Sequence, residues 1–286
     1  MASQFGESLL ALVFPSRCVL CKQELRQSLV GGICGDCWCT LESWTGSVCT
    51  RCGLPLAANV DTPKFLCADC RRSGYPFDAA RSFGVYGGSL RAAVLELKFH
   101  GHEGLGTRLG RLLLQPWMAL EVAACFEGPA LIIPVPLHRS KERERGYNQA
   151  TVIARGLWRT LRDLNRAASF RFERRFLVRW RSSAPQSGLS LHARQENVRG
   201  AFAVVAPERV EGRDVVLVDD VMTTGATASA CTSALKRAGA RRVAVLTLAR
   251  ATPQFPDLAP VCPSWNPARR PDCPLAAVDR RTPPRT

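Results

Sequence analysis

The chain has 286 residues, 46% of them hydrophobic, with 39 Lys+Arg against 24 Asp+Glu and a formal net charge of +15. That length suits one medium domain plus a small one, and that apolar fraction excludes a globally disordered chain. The charge points to polyanionic partners (nucleic acid, nucleotides, phosphorylated sugars or an acidic membrane surface) without choosing among them, and no stretch reaches the ~18–20 apolar residues of a membrane span.

The first element is Phe5–Phe14 (FGESLLALVF). It lacks a basic leading region and a small-residue cleavage site, so it does not read as a signal peptide. A short amphipathic helix packed on the neighbouring cysteine-rich segment is expected, in a cytoplasmic protein where clustered cysteines serve metals more often than disulfides.

Eight of the 13 cysteines form four C-x-x-C pairs: Cys18/Cys21, Cys34/Cys37, Cys49/Cys52 and Cys67/Cys70. Two intervening residues let both thiolates of a knuckle face one ion, and two knuckles complete a tetrahedral four-thiolate zinc site. Paired in order, the knuckles are 12 and 14 residues apart, which is zinc-ribbon spacing and predicts two structural zinc ions. A cross-braced pairing of first with third knuckle fits the spacing as well. Gly35 and Gly53 follow knuckle cysteines, where tight turns favour glycine. Cys39 reads as a bystander, and Cys125, Cys262 and Cys273 show no evident partner. Cys231 reads as a small core residue of a helix.

From about Asp78 the texture becomes α/β. Short β-branched or apolar runs predict strands at Ala80–Tyr86, Ala130–Val135, Phe176–Trp180, Asp214–Val218 and Arg242–Ala249. Helices are expected at Gly88–Leu97, Leu105–Ala124, Asn148–Leu164 and Ala226–Ala238, with Pro116 kinking or splitting the second. Alternating strands and helices imply a parallel sheet covered on both faces.

The strongest motif is Val215–Thr227 (VVLVDDVMTTGAT). A buried apolar strand ends in Asp219 and Asp220, and a hydroxyl- and glycine-rich turn opens a helix. Ligands of open α/β sheets sit at the carboxyl ends of strands, and free amides at a helix N-terminus make a phosphate pocket. Thr223, Thr224, Gly225, Ala226 and Thr227 are therefore the expected phosphate cradle. The two carboxylates suit sugar hydroxyls, directly or through magnesium. A basic loop, Leu137–Gln149, follows the strand that ends at Pro136; its Lys141, Arg143 and Arg145 are candidates for neutralising a departing pyrophosphate. Gln186–Ser190 with Arg194 and Asn197–Phe202 has the polar, glycine-bearing character of a lid. No histidine stands out as a general base; His100 and His138 are candidates by type alone. Trp38, Trp44 and Trp180 lie near basic residues and could stack on bases, but the core is their expected place.

The Asp-Asp-x-x-Thr-Thr-Gly-x-Thr stretch resembles the phosphoribosyl-pyrophosphate (PRPP) signature of type I phosphoribosyltransferases. The order of four knuckles, Leu97-Lys98-Phe99-His100-Gly101, Pro134-Val135-Pro136, Arg145-Gly146-Tyr147-Asn148-Gln149, the lid segment and the acidic signature is similar to the ComF family of double-zinc-ribbon, phosphoribosyltransferase-like proteins associated with competence and DNA uptake. The resemblance covers roughly residues 5 to 250. It implies that Asp219 and Asp220 hold ribose hydroxyls, that Thr223–Thr227 cradle the 5′-phosphate, and that a magnesium-dependent transferase passes a phosphoribosyl group to an unknown acceptor. Two other readings stay open: a PRPP or nucleotide sensor without turnover, and a DNA-processing accessory that holds single-stranded DNA or a protein partner. The expected division is 1–75 for the helix and double ribbon, 76–250 for the α/β domain, and 251–286 for a disordered Pro- and Arg-rich tail. The oligomeric state is open.

Overall fold

A computed structural model describes residues 17–25, 32–56, 65–72, 74–99, 103–124, 126, 129–165, 170–181 and 200–252. The Phe5–Phe14 helix, the Ser187–Arg199 part of the lid, and the tail from residue 253 lie outside the described residues.

Among these residues seven strands form two sheets. Five of them, β1 (Ala79–Val85), β2 (Ala130–Pro134), β3 (Phe170–Phe172), β6 (Asp214–Met222) and β7 (Arg242–Arg250), make an all-parallel sheet in the order β1-β7-β6-β2-β3. The other two, β4 (Leu177–Arg179) and β5 (Phe202–Val204), pair antiparallel as a separate ribbon. β6 and β7 carry nearly continuous buried runs, as strands covered on both faces must.

Alternation along the strands divides the core in two. Ile132, Val216, Val218, Ala244 and Leu246 point to one face, where they meet α4 (Glu103–Leu112), α5 (Leu114–Ala124) and α7 (Gln149–Asp163). Leu131, Ile133, Val215, Leu217 and Val245 point to the other, under α8 (Ala226–Arg237) and the β4–β5 ribbon. The crossover from β6 to β7 through α8 and that from β2 to β3 through α7 thus leave on opposite faces and in opposite directions. The crevice between the carboxyl ends of β6 and β2 is the topological switch point, where this class of sheet receives ligands.

The helix α3 (Gly88–Phe99) leads from β1 towards that crevice. α4 and α7 cross closely because Gly110 and Gly156 face one another: a Cβ on Gly110 would lie 2.2 Å from the Ile153 carbonyl oxygen, and one on Gly156 2.2 Å from that of Thr107. The predicted Leu105–Ala124 helix is two helices. The break falls at Leu113, one turn ahead of Pro116, because proline cannot donate to the carbonyl four residues earlier. Pro116 sits in the first turn of α5, where no such donor is needed.

The cysteine module clasps the sheet at β1. Cys18, Ile33, Cys37 and Trp38 join one core cluster, while Cys49, Cys52, Cys67 and Cys70 join the other. The chain between the two groups runs along the outer edge of β1: Trp44 N–H donates to Phe83 O at 2.8 Å, and Ala80 N–H to Arg51 O at 2.7 Å. Gly53, at φ +65°, and Gly84 permit this approach, since a Cβ on either would fall about 2.5 Å from a facing carbonyl oxygen.

Candidate functional site

β6 runs past its apolar stretch to Met222, so both acids lie within the strand, at its carboxyl end. Asp219 is half-buried and its Oδ1 accepts from the Asp220 N–H at 2.8 Å. Asp220 is buried; its Oδ1 lies 3.0 Å from Lys98 Nζ at the end of α3, and its Oδ2 is buried without a hydrogen-bond partner among the described residues. Burial, then the neighbouring Asp220 carboxylate, push Asp219 up to about 8, against the opposing pull of the Asp220 N–H, Lys98 and Arg179. Burial works against the Lys98 ammonium, but Asp220 and Asp219 outweigh it and hold its pKa above the usual lysine value.

The turn after β6 gathers free backbone amides and hydroxyls around a left-handed glycine. Gly225 has φ +77° and stands at the N-cap of α8, a left-handed conformation that favours glycine. The Thr224 hydroxyl accepts from Ala226 N–H at 3.3 Å. First-turn amides of α8 have no intrahelical acceptor, and they border a cleft of about 30 Å³ lined by Asp219, Thr223–Ala228 and Thr247. Arg250, buried at the end of β7, donates from one guanidinium nitrogen to the carbonyls of Met222, at 3.0 Å, and Thr223. All the residues of the expected phosphate cradle are therefore brought together beside the two acids.

The expected basic loop is largely a helix, α6 (Arg139–Arg145). Arg, Lys and Glu are good helix formers, His138 caps the start by accepting from Ser140 N–H at 3.3 Å, and Gly146 closes the end at φ +80°. Lys141 and Arg143 are exposed on it and do not line a cavity. Arg145 donates to Gln149 Oε1 at 3.0 Å and lies over the Phe99 ring. A larger groove, of about 560 Å³, lies beside this helix. Its cations are Arg139, Arg155, Arg174, Arg175 and Arg179, against Glu103 and Glu142. The Arg139, Arg174 and Arg175 side chains have no ionic or hydrogen-bonded partner among the described residues.

This groove adjoins the acids. Val135 N–H donates to Val218 O at 2.9 Å, next to Asp219, and Arg179 acts electrostatically on Asp219. The Tyr147 hydroxyl donates to Leu97 O, beside Lys98, while Asn148 grips Val135 O at 3.0 Å and caps α7 through Ala150 N–H at 3.0 Å. Tyr147 and Asn148 thus join the groove wall to the acidic pair.

Two groups of four thiols complete the picture: Cys18, Cys21, Cys34 and Cys37, and Cys49, Cys52, Cys67 and Cys70, each with all sulfurs within 4.8 Å. This is the in-order pairing. The Cys21–Cys34 and Cys52–Cys67 sulfurs are 3.7 and 3.6 Å apart, close to the about 3.8 Å between thiolates of a tetrahedral site with bonds of about 2.3 Å. Backbone N–H groups of Cys34 and Cys67 point at Cys18 and Cys49 sulfurs at 3.4 and 3.3 Å. The donor set fits structural zinc.

Two expectations need correction. Trp38 is buried under the Arg108 guanidinium and Trp44 is half-buried, but Trp180 is 56% exposed, with Arg181 stacked 4.3 Å over its ring; it follows the last residue of β4. Cys39 joins neither four-thiol group, as a bystander to the zinc pattern would, but it is disulfide-bonded and so is no free thiol. Two positions beyond Cys37 on a helix, it is turned by about 200° from that ligand. Cys231 is fully buried, as expected.

Lys98, Tyr75, Arg250 and the groove arginines were not singled out from sequence for the site. In the sequence Lys98 stands out only within the Leu97–Gly101 segment of the family resemblance, and Arg139 only as part of the Leu137–Gln149 basic loop.

The architecture defines a double-zinc-ribbon protein with a phosphoribosyltransferase-type domain. Residues 9–71 match the double zinc ribbon domain family, and residues 149–260 the phosphoribosyl transferase domain family. Over 239 residues the chain is 32% identical to the DNA utilization protein YhgH of Salmonella typhimurium, covering 84% of this chain and 99% of that protein. It is 29% identical to competence protein F of Haemophilus influenzae (83% and 98% covered) and 22% identical to competence protein ComFC of Bacillus subtilis (87% and 100%). The chain belongs to the ComF family.

Proposed function

We propose that the chain binds PRPP and transfers its phosphoribosyl group to an acceptor, releasing pyrophosphate. The observation that carries this reading is the placement of Asp219 and Asp220 at the end of β6 directly before the Thr223–Thr227 turn. In this reading the turn amides and hydroxyls hold the 5′-phosphate, and the two carboxylates accept from ribose hydroxyls. The bond from C1 to the pyrophosphate oxygen breaks, its electron pair leaves with pyrophosphate, and C1 bonds to the acceptor. Arg139, Arg174, Arg175 and Arg179 are the cations suited to the leaving group; Lys141, Arg143 and Arg145 would act only from the outer side of α6. Lys98 holds the Asp220 carboxylate in place through their ion pair. Asp219 and the unpartnered Asp220 Oδ2 are oxygen donors of the kind magnesium takes, and such an ion would screen charge between ribose and pyrophosphate oxygens.

A second reading is favoured by the exposed Trp180 with its stacked Arg181 beside an arginine-lined groove. That pairing suits the bases and phosphates of a single strand, and relatives are named for DNA utilization and competence. The two readings are compatible.

Calorimetry with PRPP and magnesium, on the native chain and on Asp219→Ala/Asp220→Ala, tests the first. Binding that disappears in the variant, with pyrophosphate released when an acceptor base is supplied, is the expected result. Binding without release under any acceptor would reduce the chain to a sensor, and absence of binding would remove the PRPP reading altogether.

A further inference from the structure

We propose that the second zinc ribbon is part of the phosphate-binding device: zinc at Cys49/Cys52/Cys67/Cys70 and a sugar phosphate at Thr223–Thr227 bind with positive coupling, transmitted by Tyr75 and Arg250. This rests on the phosphate reading of the turn.

Two contacts carry the coupling. The first is Tyr75. Its ring lies so close to Gly225 that a Cβ there would come 2.9 Å from Tyr75 Cε1 and 3.0 Å from Met222 Cε. Tyr75 stacks on Phe77 with centroids 4.8 Å apart and planes 11° from parallel. Phe77 is fully buried, and its carbonyl accepts from Nε of Arg51 at 3.4 Å. Arg51 lies inside the Cys49–Cys52 knuckle. On its other side Tyr75 follows α2 (Ala68–Arg72), which carries Cys70, and Gly74 N–H ties the connection back to Asp69 O at 3.1 Å. The ring is thus held from both knuckles and presses on the glycine of the turn.

The second contact is Arg250. In a trans peptide the carbonyl and the next N–H point in opposite directions. By drawing in the carbonyls of Met222 and Thr223, the buried guanidinium turns the N–H groups of Thr223 and Thr224 away from itself, towards the cleft these residues line. Met222, whose carbonyl Arg250 holds, is buried in one cluster with Cys49, Cys52, Cys67 and Cys70, so a zinc–thiolate cluster would help to fix the peptide that the guanidinium draws in.

The first ribbon provides the contrast. It sits on the opposite face of the sheet and is tied to other elements, through Thr40 to Ser89 at 2.7 Å and Arg108 to Ile33 O at 3.0 Å. Among the described residues it makes no recorded hydrogen bond or ring contact with the turn. Tyr75 is therefore a positioning residue for the phosphate turn, and only the second metal site is coupled to it.

Coupling of binding free energies is reciprocal, so ligand must protect zinc by the factor with which zinc strengthens ligand. The test titrates zinc out of the full chain at equilibrium with a competing chelator of known affinity, followed by a colorimetric indicator, with and without saturating ribose 5-phosphate or magnesium–PRPP. Two zinc affinities are expected, one strengthened about tenfold by ligand, within the usual range of such couplings, and the other unchanged. Tyr75→Ala should retain two zinc ions, bind ribose 5-phosphate about tenfold more weakly, and show no protection. Tyr75→Phe, which keeps the stacked ring, should restore both. Binding by the wild type with neither zinc affinity changed, or unweakened binding by Tyr75→Ala, overturns the coupling while the phosphate reading stands. No binding of either ligand by the wild type overturns the phosphate reading and the coupling with it.

Discussion

Lys98 Nζ lies 3.0 Å from Asp220 Oδ1, with the lysine side chain 21% and the aspartate 5% exposed, so the two motif acids are not equivalent. Asp220 is neutralised from α3 before any ligand arrives, while Asp219 has no comparably close cation among the described residues. A buried pair of this kind is felt when one member is removed, because the other is left uncompensated. Lys98→Met should lower unfolding stability by about 3–5 kcal/mol, and Lys98→Met/Asp220→Asn should recover most of that loss; urea midpoints read both.

Asp219 carries a pH signature. Its pKa is raised in the folded chain to about 8, chiefly by burial and then by Asp220. Between the ordinary carboxylate range and that value the folded state therefore holds a proton that the unfolded state has lost. The contribution to stability is fully present below about pH 4 and disappears as pH rises through about 8. Asp219→Asn should flatten the stability–pH curve over that window and be relatively most stabilising at its upper end. Equal slopes for the two chains from pH 5 to 8.5 would count against the burial assigned to this carboxylate.

The groove and the outer face of α6 make opposite predictions for anion binding. Arg174→Glu/Arg175→Glu should weaken pyrophosphate binding at least about tenfold, since each lost charge-assisted hydrogen bond is worth about 1.5–3 kcal/mol. Lys141→Glu/Arg143→Glu, which do not line the groove, should change it less than about twofold at physiological salt, where surface charges that make no direct contact are screened. Competition titrations with a labelled PRPP analogue separate the two cases.

Gly110 and Gly156 are steric requirements of the α4–α7 crossing, which carries Asn148 and Tyr147 to the groove wall. A methyl group at either would meet a backbone carbonyl at 2.2 Å, and backbone cannot rotate away as a side chain can. Gly110→Ala and Gly156→Ala should each cost about 1–3 kcal/mol by overpacking, despite the better helix propensity of alanine. Denaturant unfolding measures the net sign.

Metal analysis should find two zinc ions per chain. Cys18→Ser and Cys49→Ser should each lose about one, because a closed four-thiolate site tolerates no missing ligand. A single ion in the native chain would contradict two independent clusters.

What could be read from the sequence was what is contiguous along the chain. The β6–turn–α8 signature and the four knuckles assemble from neighbours, so spacing alone exposes them. The in-order pairing became visible only when sulfur positions were. Lys98, Tyr75 and Arg250 reach the same site from three distant elements, and no local pattern joins them to Asp219. α6 was misread as a loop because its run of charges has no apolar stripe, although Arg, Lys and Glu favour helix intrinsically. β3, β4 and β5 are all three-residue strands, and only β4, inside the longer Phe176–Trp180 run, leaves a pattern in the sequence. The groove arginines come from α6, α7, the β3–β4 connection and β4 itself, a convergence set by tertiary packing.

The chain that leads from the first ribbon into the first knuckle of the second occupies the outer edge of β1, where Trp44 and Arg51 satisfy backbone groups that would otherwise face water. Stripped of zinc, that segment has little to hold it in place, and an unpaired parallel strand is a template on which another molecule can add. Loss of the metal is therefore expected to leave that edge open to pairing with another copy. Because the ribbons precede the sheet in sequence, they can be loaded during synthesis, before the edge they guard exists. Zinc shortage would accordingly be expected to show as insoluble protein as well as in weaker occupancy of the ligand crevice.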